Sequence, residues 1–398
     1  MFQRVRLIRG IALAAISFGV PAAAFADHPW LDDANRRSPT ADASLDKLSH
    51  GYPRVLVHEF VSGVSAEAYS KYDFVDAHGT HFETFETVQS KYDGTTRMLR
   101  HISGRAYQSY NFGTCVISSG IAFEATTSAS QGGPKSAGCG IFAGHWLYKA
   151  GTTTRQSIAA GATTIPVNDP SRITQGSYVV IYDAPAGSFR NAEHARVTGV
   201  NKTNNTIQVA RGFKSKAASH AAGSIVAEHV IGQGSDKQLW AFNMSSQSAQ
   251  DANGKTFGEF YADWIGKNLE KYGTGQQTSA DVAGVMFDAD FYYELANTKS
   301  DANNDLVVDN GLAPNGTNWL GEGLDAFYAR VSNRLPGKYL LTGVHDGRGY
   351  HAAHGTQMEN WLDFGNGDFK PTPKYNRIPD LFATYLFNMA DRSSGPPL

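Results

Sequence analysis

The chain is poor in cysteine, with only Cys115 and Cys139 among its 398 residues. That excludes a dense disulfide framework and a zinc site built from cysteine alone. Charge of one sign is also missing. The net charge of −2 leaves no basic excess for a nucleic-acid partner. Beyond the first 26 residues nothing approaches the ~20 consecutive apolar residues of a membrane span. No Gly-x-Gly-x-x-Gly turn follows the first predicted strand, where the chain reads His58-Glu59-Phe60-Val61-Ser62-Gly63. A dinucleotide site is therefore not expected. The absence of a Gly-x-Ser-x-Gly elbow argues against a serine hydrolase in the same way.

What is abundant is aromatic side chain and glycine: Phe 22, Tyr 18, Trp 6 and Gly 41. That composition suits a loop-rich enzyme or a carbohydrate binder. Residues 1–26 read as a signal peptide. Arg4, Arg6 and Arg9 precede an apolar stretch from Ile11 to Val20, and Ala24-Phe25-Ala26 supplies a small-x-small cleavage site. The expected location is secreted or periplasmic after cleavage near Ala26. In an exported chain the pair Cys115 and Cys139 is expected to form a disulfide.

Residues 27–50 are a polar leader. From residue 51 strands alternate with helices: Val55–Val57, helix 66–72 capped by Ser65, Asp73–Val75, helix 81–92 and Arg97–Ile102. Residues 103–150 break the alternation with a Gly-, Ser- and Tyr-rich loop carrying both cysteines. Residues 151–230 lack helix signals. Short β-like runs at Thr164–Val167, Tyr178–Tyr182, Ala195–Val200 and Thr206–Ala210 predict a small all-β insertion. The αβ rhythm resumes over 231–398: strand Leu239–Asn243, helix 256–271, strand Val282–Phe287, helix 319–334, strand Tyr339–Val344, strand Thr356–Trp361 and helix 379–390. The expected fold is α/β, a (β/α)8 TIM barrel. Seven predicted strands rather than eight leave it incomplete at the C-terminus.

Residues 284–290 read Gly-Val-Met-Phe-Asp-Ala-Asp, an apolar strand ending in two acids of the same pleat parity. In a parallel barrel, residues at the carboxyl ends of the strands meet on one face and build the site. The acids so placed are Glu59, Asp76, Asp288, Asp290 and Glu359. Two carboxylates can divide glycosidic cleavage, one protonating the leaving oxygen while the other attacks carbon or activates water. Asp288 and Glu359 are the candidate catalytic pair. Glu59, Asp76, Asp290, His145, Trp146 and His345 are the candidate substrate-binding residues. The loop 301–309 reads Asp-Ala-Asn-Asn-Asp-Leu-Val-Val-Asp. Asp301, Asn303, Asp305 and Asp309 follow the ligand spacing of a calcium loop, although Leu306 and Leu312 stand where an EF-hand has Gly and Glu. No cofactor is required by this chemistry; a structural calcium ion is the one the loop would admit.

Several segments together resemble the TIM-barrel glycoside hydrolases of the hypothetical glycosyl-hydrolase-like family fifteen, and the neighbouring endo-polygalactosaminidase-like barrels. They are Tyr52-Pro-Arg-Val-Leu-Val, Cys139-Gly-Ile-Phe-Ala-Gly-His-Trp-Leu-Tyr-Lys-Ala-Gly, Trp240-Ala-Phe-Asn, Gly284-Val-Met-Phe-Asp-Ala-Asp, the Asp/Asn loop and Gly355-Thr-Gln-Met-Glu-Asn. The resemblance implies a TIM barrel and a polysaccharide or oligosaccharide substrate. It also implies an acid pair made of an Asp after an apolar strand and a Glu two strands later, here Asp288 and Glu359. Two alternatives stand beside the hydrolase: a non-catalytic carbohydrate-binding or scaffold protein on a degenerate barrel, and a metal-dependent hydrolase using the 301–309 loop. The sequence leaves the oligomeric state open.

Overall fold

The computed structural model describes residues 56–58, 65–70, 74–77, 82–92, 96–103, 106–108, 126–127, 134–135, 142–213, 215–231, 239–270, 277–288, 298–342 and 355–356. The signal-peptide, leader and helix 379–390 readings lie outside them, as do both cysteines. In chain order the elements begin with β1 (Leu56–His58), α1 (Ala66–Tyr69), β2 (Phe74–Ala77), α2 (Phe82–Lys91), β3 (Arg97–Ser103) and β4 (Ala106–Gln108). Two short strands, β5 (Thr126–Thr127) and β6 (Pro134–Lys135), pair with each other. Then come β7 (Tyr148–Lys149), β8 (Thr152–Thr153), β9 (Thr164–Pro166), β10 (Tyr178–Asp183), β11 (Arg190–Asn201), β12 (Thr206–Ala210) and β13 (Ile225–Glu228). The remainder is β14 (Leu239–Ala241), α3 (Phe257–Asn268), β15 (Val282–Asp288), β16 (Ser300–Asp301), α4 (Trp319–Arg334), β17 (Tyr339–Thr342) and β18 (Gly355–Thr356).

Two sheets organise these elements. The first has the order β1-β2-β3-β15-β17-β18, and every pairing in it is parallel. Its strands follow one another in chain order with no reversal, whereas a doubly wound sheet reverses at a switch point. Leu239–Asn243, expected to be the fourth strand of this sheet, is not in it. Residues 239–241 pair antiparallel with β4, and β15 takes the place beside β3. The apolar run Leu239-Trp240-Ala241-Phe242 satisfies a parallel strand and a buried antiparallel one equally, so hydrophobicity alone could not assign its partner.

Strand parity gives the parallel sheet two distinct faces. Val75, Met98, Ile102, Val282, Val285, Phe287 and Leu340 join one large core with Phe85 and Val88 of α2, Tyr261 of α3 and Phe327 of α4. Phe74, Leu99, Ala283, Met286, Tyr339 and Leu341 form a separate cluster on the other face. Helix α3 starts at a complete capping box between Thr256 and Glu259 and buries Phe257, Phe260, Tyr261, Trp264 and Ile265. Its carboxyl end is met by a buried arginine, since Arg100 Nη1 donates to the Leu269 carbonyl at 2.8 Å. Gly284 is required where it stands, because a Cβ there would overlap the carbonyl of Tyr339 on the neighbouring strand.

The second sheet has the order β8-β13-β10-β11-β12-β9, antiparallel throughout. It curls until its two edge strands meet. Arg155 N–H donates to the Pro166 carbonyl and Asn168 N–H to the Thr153 carbonyl, both at 2.9 Å. Val179, Ile181, Ala195, Val197, Ile207, Val209 and Val226 fill the inside. The opposite parity, Tyr178, Val180, Tyr182, Ile225 and Ala227, is buried too, in the large core beside Trp146, Trp240 and Phe242. The β segment is thus packed on both sides rather than tethered. No helix among the described residues is long and apolar enough to cross a membrane.

Candidate active site

The carboxyl ends of β1, β2, β3, β15, β17 and β18 lie along one edge of the parallel sheet. Register fixes their relative heights. Asp76 stands opposite Leu99, His101 opposite Met286 and Ser103 opposite Asp288. Across the next two strands Met286 is opposite Leu341, and Leu341 is opposite Gly355. Asp288 therefore closes its strand at the sheet edge, two strands from Gly355–Thr356.

Asp76 is 1% exposed and His101 4%. His101 Nδ1 lies 3.1 Å from Asp76 Oδ2. A carboxylate is an acceptor only, so the imidazole donates from Nδ1, and the bond fixes both tautomer and ring orientation. Asp76 has the parity of Phe74, and His101 that of Leu99, which puts both on the sheet face turned away from the three helices. Of the acids expected at strand tips, Asp76 is the one whose side chain the structure describes. His101 was not among the sequence candidates. A single histidine inside Arg97-Met-Leu-Arg-His-Ile reads as a strand residue, and only the alternation with Leu99 could have flagged its face. Glu59, Asp290, His345 and Glu359 lie outside the described residues.

His145 and Trp146, expected at the substrate, sit in the aromatic core. His145 is fully buried among Phe142, Phe257 and Phe260. Its Nε2–H donates to the Lys255 carbonyl at 3.2 Å. Burial lowers its pKa to about 4, against the opposing pull of that bond and of Asp251. Trp146 stacks on Phe242 at 5.2 Å and meets Trp240 edge-on at 5.4 Å.

The 301–309 loop is folded by its own carboxylates. Asp301 accepts from Asp305 N–H at 2.9 Å and from Leu306 N–H at 2.7 Å. Asp309 accepts from Ala302 and Gly311 N–H at 2.9 and 2.7 Å, and Asp305 from Val307 N–H at 2.8 Å. Asn303 donates to Asp305 at 3.0 Å. Burial raises Asp301 to about 6, partly offset by the two N–H donors, with Asp305 and Asp309 adding to the rise. Among the described residues no three His, Cys, Asp or Glu side chains are grouped to hold a metal ion. These Asx turns explain the Asp/Asn spacing without one.

Together these features define an α/β protein with a sequentially ordered parallel sheet, acids at its carboxyl edge and a curled antiparallel sheet packed into the same core. Comparison with known proteins adds no family. No family model and no curated protein matches the chain. Among solved structures it is similar to the Gp54 tailspike of Acinetobacter baumannii bacteriophage AP22, solved with a capsular saccharide. That match has 17% identity and a TM-score of 0.18, and covers 49% of this chain and 30% of the tailspike. It is also similar to pyruvate kinase of Cryptosporidium parvum, at 11% identity and TM-score 0.23, covering 88% of this chain and 76% of the kinase. The chain thus spans under a third of the tailspike's length, and likeness at these TM-scores carries no argument about fold or activity.

Proposed function

We propose that the chain is an exported glycoside hydrolase that cleaves a polysaccharide with the two carboxylates Asp288 and Glu359. The observation that carries this reading is the register. It ends the apolar strand β15 at Asp288 on the edge where parallel α/β proteins place their chemistry. The strand β18, three residues before Glu359, lies two positions away in the same sheet. Two spacings of ~4.8 Å separate those backbones. That span accommodates carboxyls ~5 Å apart, as retention needs, or ~6.5–9.5 Å apart, as inversion needs. In this reading the parallel strands continue into a (β/α)8 barrel, and the face bearing Asp76 and His101 lines its interior. Glu359 protonates the leaving oxygen, and Asp288 attacks the sugar carbon or draws the proton from water. Asp76, Glu59, Asp290 and His345 position the sugar. A calcium ion in the 301–309 loop would be structural, and no step is assigned to it.

A panel of polysaccharides incubated with wild-type, Asp288→Asn and Glu359→Gln proteins tests the proposal. Each variant should lose at least about a thousandfold in rate with its circular dichroism spectrum unchanged. Full activity in either variant removes that residue from the mechanism. Binding of an oligosaccharide without hydrolysis by the wild type would instead favour a carbohydrate-binding protein on the same scaffold.

A further inference from the structure

The contact between Asp76 and His101 follows a rule that repeats one strand further on. Asp76 is paired with Leu99 on β3, and its bonded partner His101 lies two residues beyond Leu99. His101 is paired with Met286 on β15, and Asp288 lies two residues beyond Met286. Both steps are the same diagonal: one strand across, two residues towards the carboxyl edge, with parity unchanged. The diagonal spans one strand spacing of ~4.8 Å and two rises of ~3.3 Å. The first step is closed by a 3.1 Å hydrogen bond between buried side chains. The second offers the same backbone separation to the same pair of groups, a carboxylate and an imidazole.

We infer that Asp76, His101 and Asp288 form a carboxylate–imidazole–carboxylate relay across three adjacent strands, in which His101 is the positioning residue for Asp288. The inference rests on the hydrolase reading for its consequence, but its geometry belongs to the sheet. Asp76 holds the ring by Nδ1, so Nε2 is the atom through which His101 addresses its other neighbour. An imidazole anchored in this way fixes where the Asp288 carboxyl points and favours its ionised form, which a nucleophile or base requires. Its helix-side neighbour Ile102 is packed in the main core, which ties this stretch of β3 to α2 and α4.

Two measurements decide it. In protein labelled with 13C-histidine, the His101 resonance is assigned by its loss in His101→Gln. It should move in Asp288→Asn and in Asp76→Asn, and an unchanged His101 resonance in Asp288→Asn overturns the relay. On a polysaccharide that the wild type cleaves, His101→Gln and Asp76→Asn should lower kcat by about 10–100-fold, the usual cost of removing an outer-shell partner, with KM changed less than about twofold. The acid limb of the kcat/KM profile should also shift. A profile superimposable on wild type would reduce His101 to packing and overturn the inference. Should His101→Gln fail to fold, Asp76→Asn carries both readouts. The spectrum needs no turnover, so an inactive wild type defeats the hydrolase reading and leaves the relay to be decided by the resonance.

Discussion

At the scale of single residues the molecule's most exacting demand is made by buried histidines that no carboxylate serves. His194 and His229 face each other edge-on at 4.8 Å, and His229 stacks on Trp240 at 3.6 Å. All four of their ring nitrogens are buried without a hydrogen-bond partner. Burial lowers His194 to about 3 and drives His229 well down, helped by His194, while His145 lies at about 4. A histidine with a depressed folded pKa stays neutral in the fold while the unfolded chain takes up the proton. Its contribution is therefore complete above the ordinary value of 6.5 and is lost as pH falls towards the folded value. Each such group costs about 1.4 kcal/mol per pH unit over that window. Urea unfolding measured between pH 7 and pH 5 should show stability falling steeply. Replacing His194 and His229 together by Phe should flatten the slope by about 2.7 kcal/mol per unit. An unchanged slope would locate the acid sensitivity elsewhere. At the same scale, sequence revealed the acids but not their servants. Asp76 was legible because it follows a strand, whereas His101 acquires meaning only from the residue diagonally beside it.

Among elements, the curled sheet was the most legible. The sequence intervals Thr164–Val167, Tyr178–Tyr182, Ala195–Val200 and Thr206–Ala210 coincide with β9, β10, β11 and β12 to within a few residues at most ends. Turn residues bound each of them, and alternation inside each is strict. Strand β11 extends further than its interval, to Arg190–Asn201, because Glu193 and His194 read as polar although both are buried. What hides them is a charge network that only the fold assembles. Arg211 Nε donates to Glu193 at 2.7 Å, Arg211 Nη1 donates to the Ala159 and Ala162 carbonyls at 3.1 Å, and His220 lies 2.9 Å from Asp183 and 3.1 Å from Glu193. Removing one partner of a buried pair strands the other charge, at about 3–5 kcal/mol. Arg211→Ala should therefore lower unfolding free energy by that amount in urea titration. The double substitution Arg211→Met with Glu193→Leu should recover most of it, and a double variant as unstable as the single one would contradict this account. The parallel strands were legible as strands, but their partners were not. Leu239–Ala241 carries the apolar run of a central parallel strand and pairs with β4 instead.

For the whole molecule the decisive fact is that both sheets share one core. Tyr148 bridges His229, so the chain enters and leaves the curled sheet at one place. A version lacking residues 152–228 could be joined there without strain. It would nevertheless expose the aromatic surface around Trp146, Trp240 and Phe242 that Tyr178, Val180 and Tyr182 cover. Patches of that kind drive association. The shortened protein should therefore elute as soluble aggregate in size-exclusion chromatography and bind a hydrophobic dye, whereas a monomeric, dye-silent product would show the segment to be dispensable. The meeting of β8 with β9 has a further consequence. An open antiparallel sheet offers its outermost backbone groups as a template on which another chain can add a strand. Here the first and last strands satisfy each other, so this sheet presents no such template to its neighbours. A protein working at high concentration, outside the reach of intracellular chaperones, would gain from that closure a protection that no surface charge has to provide.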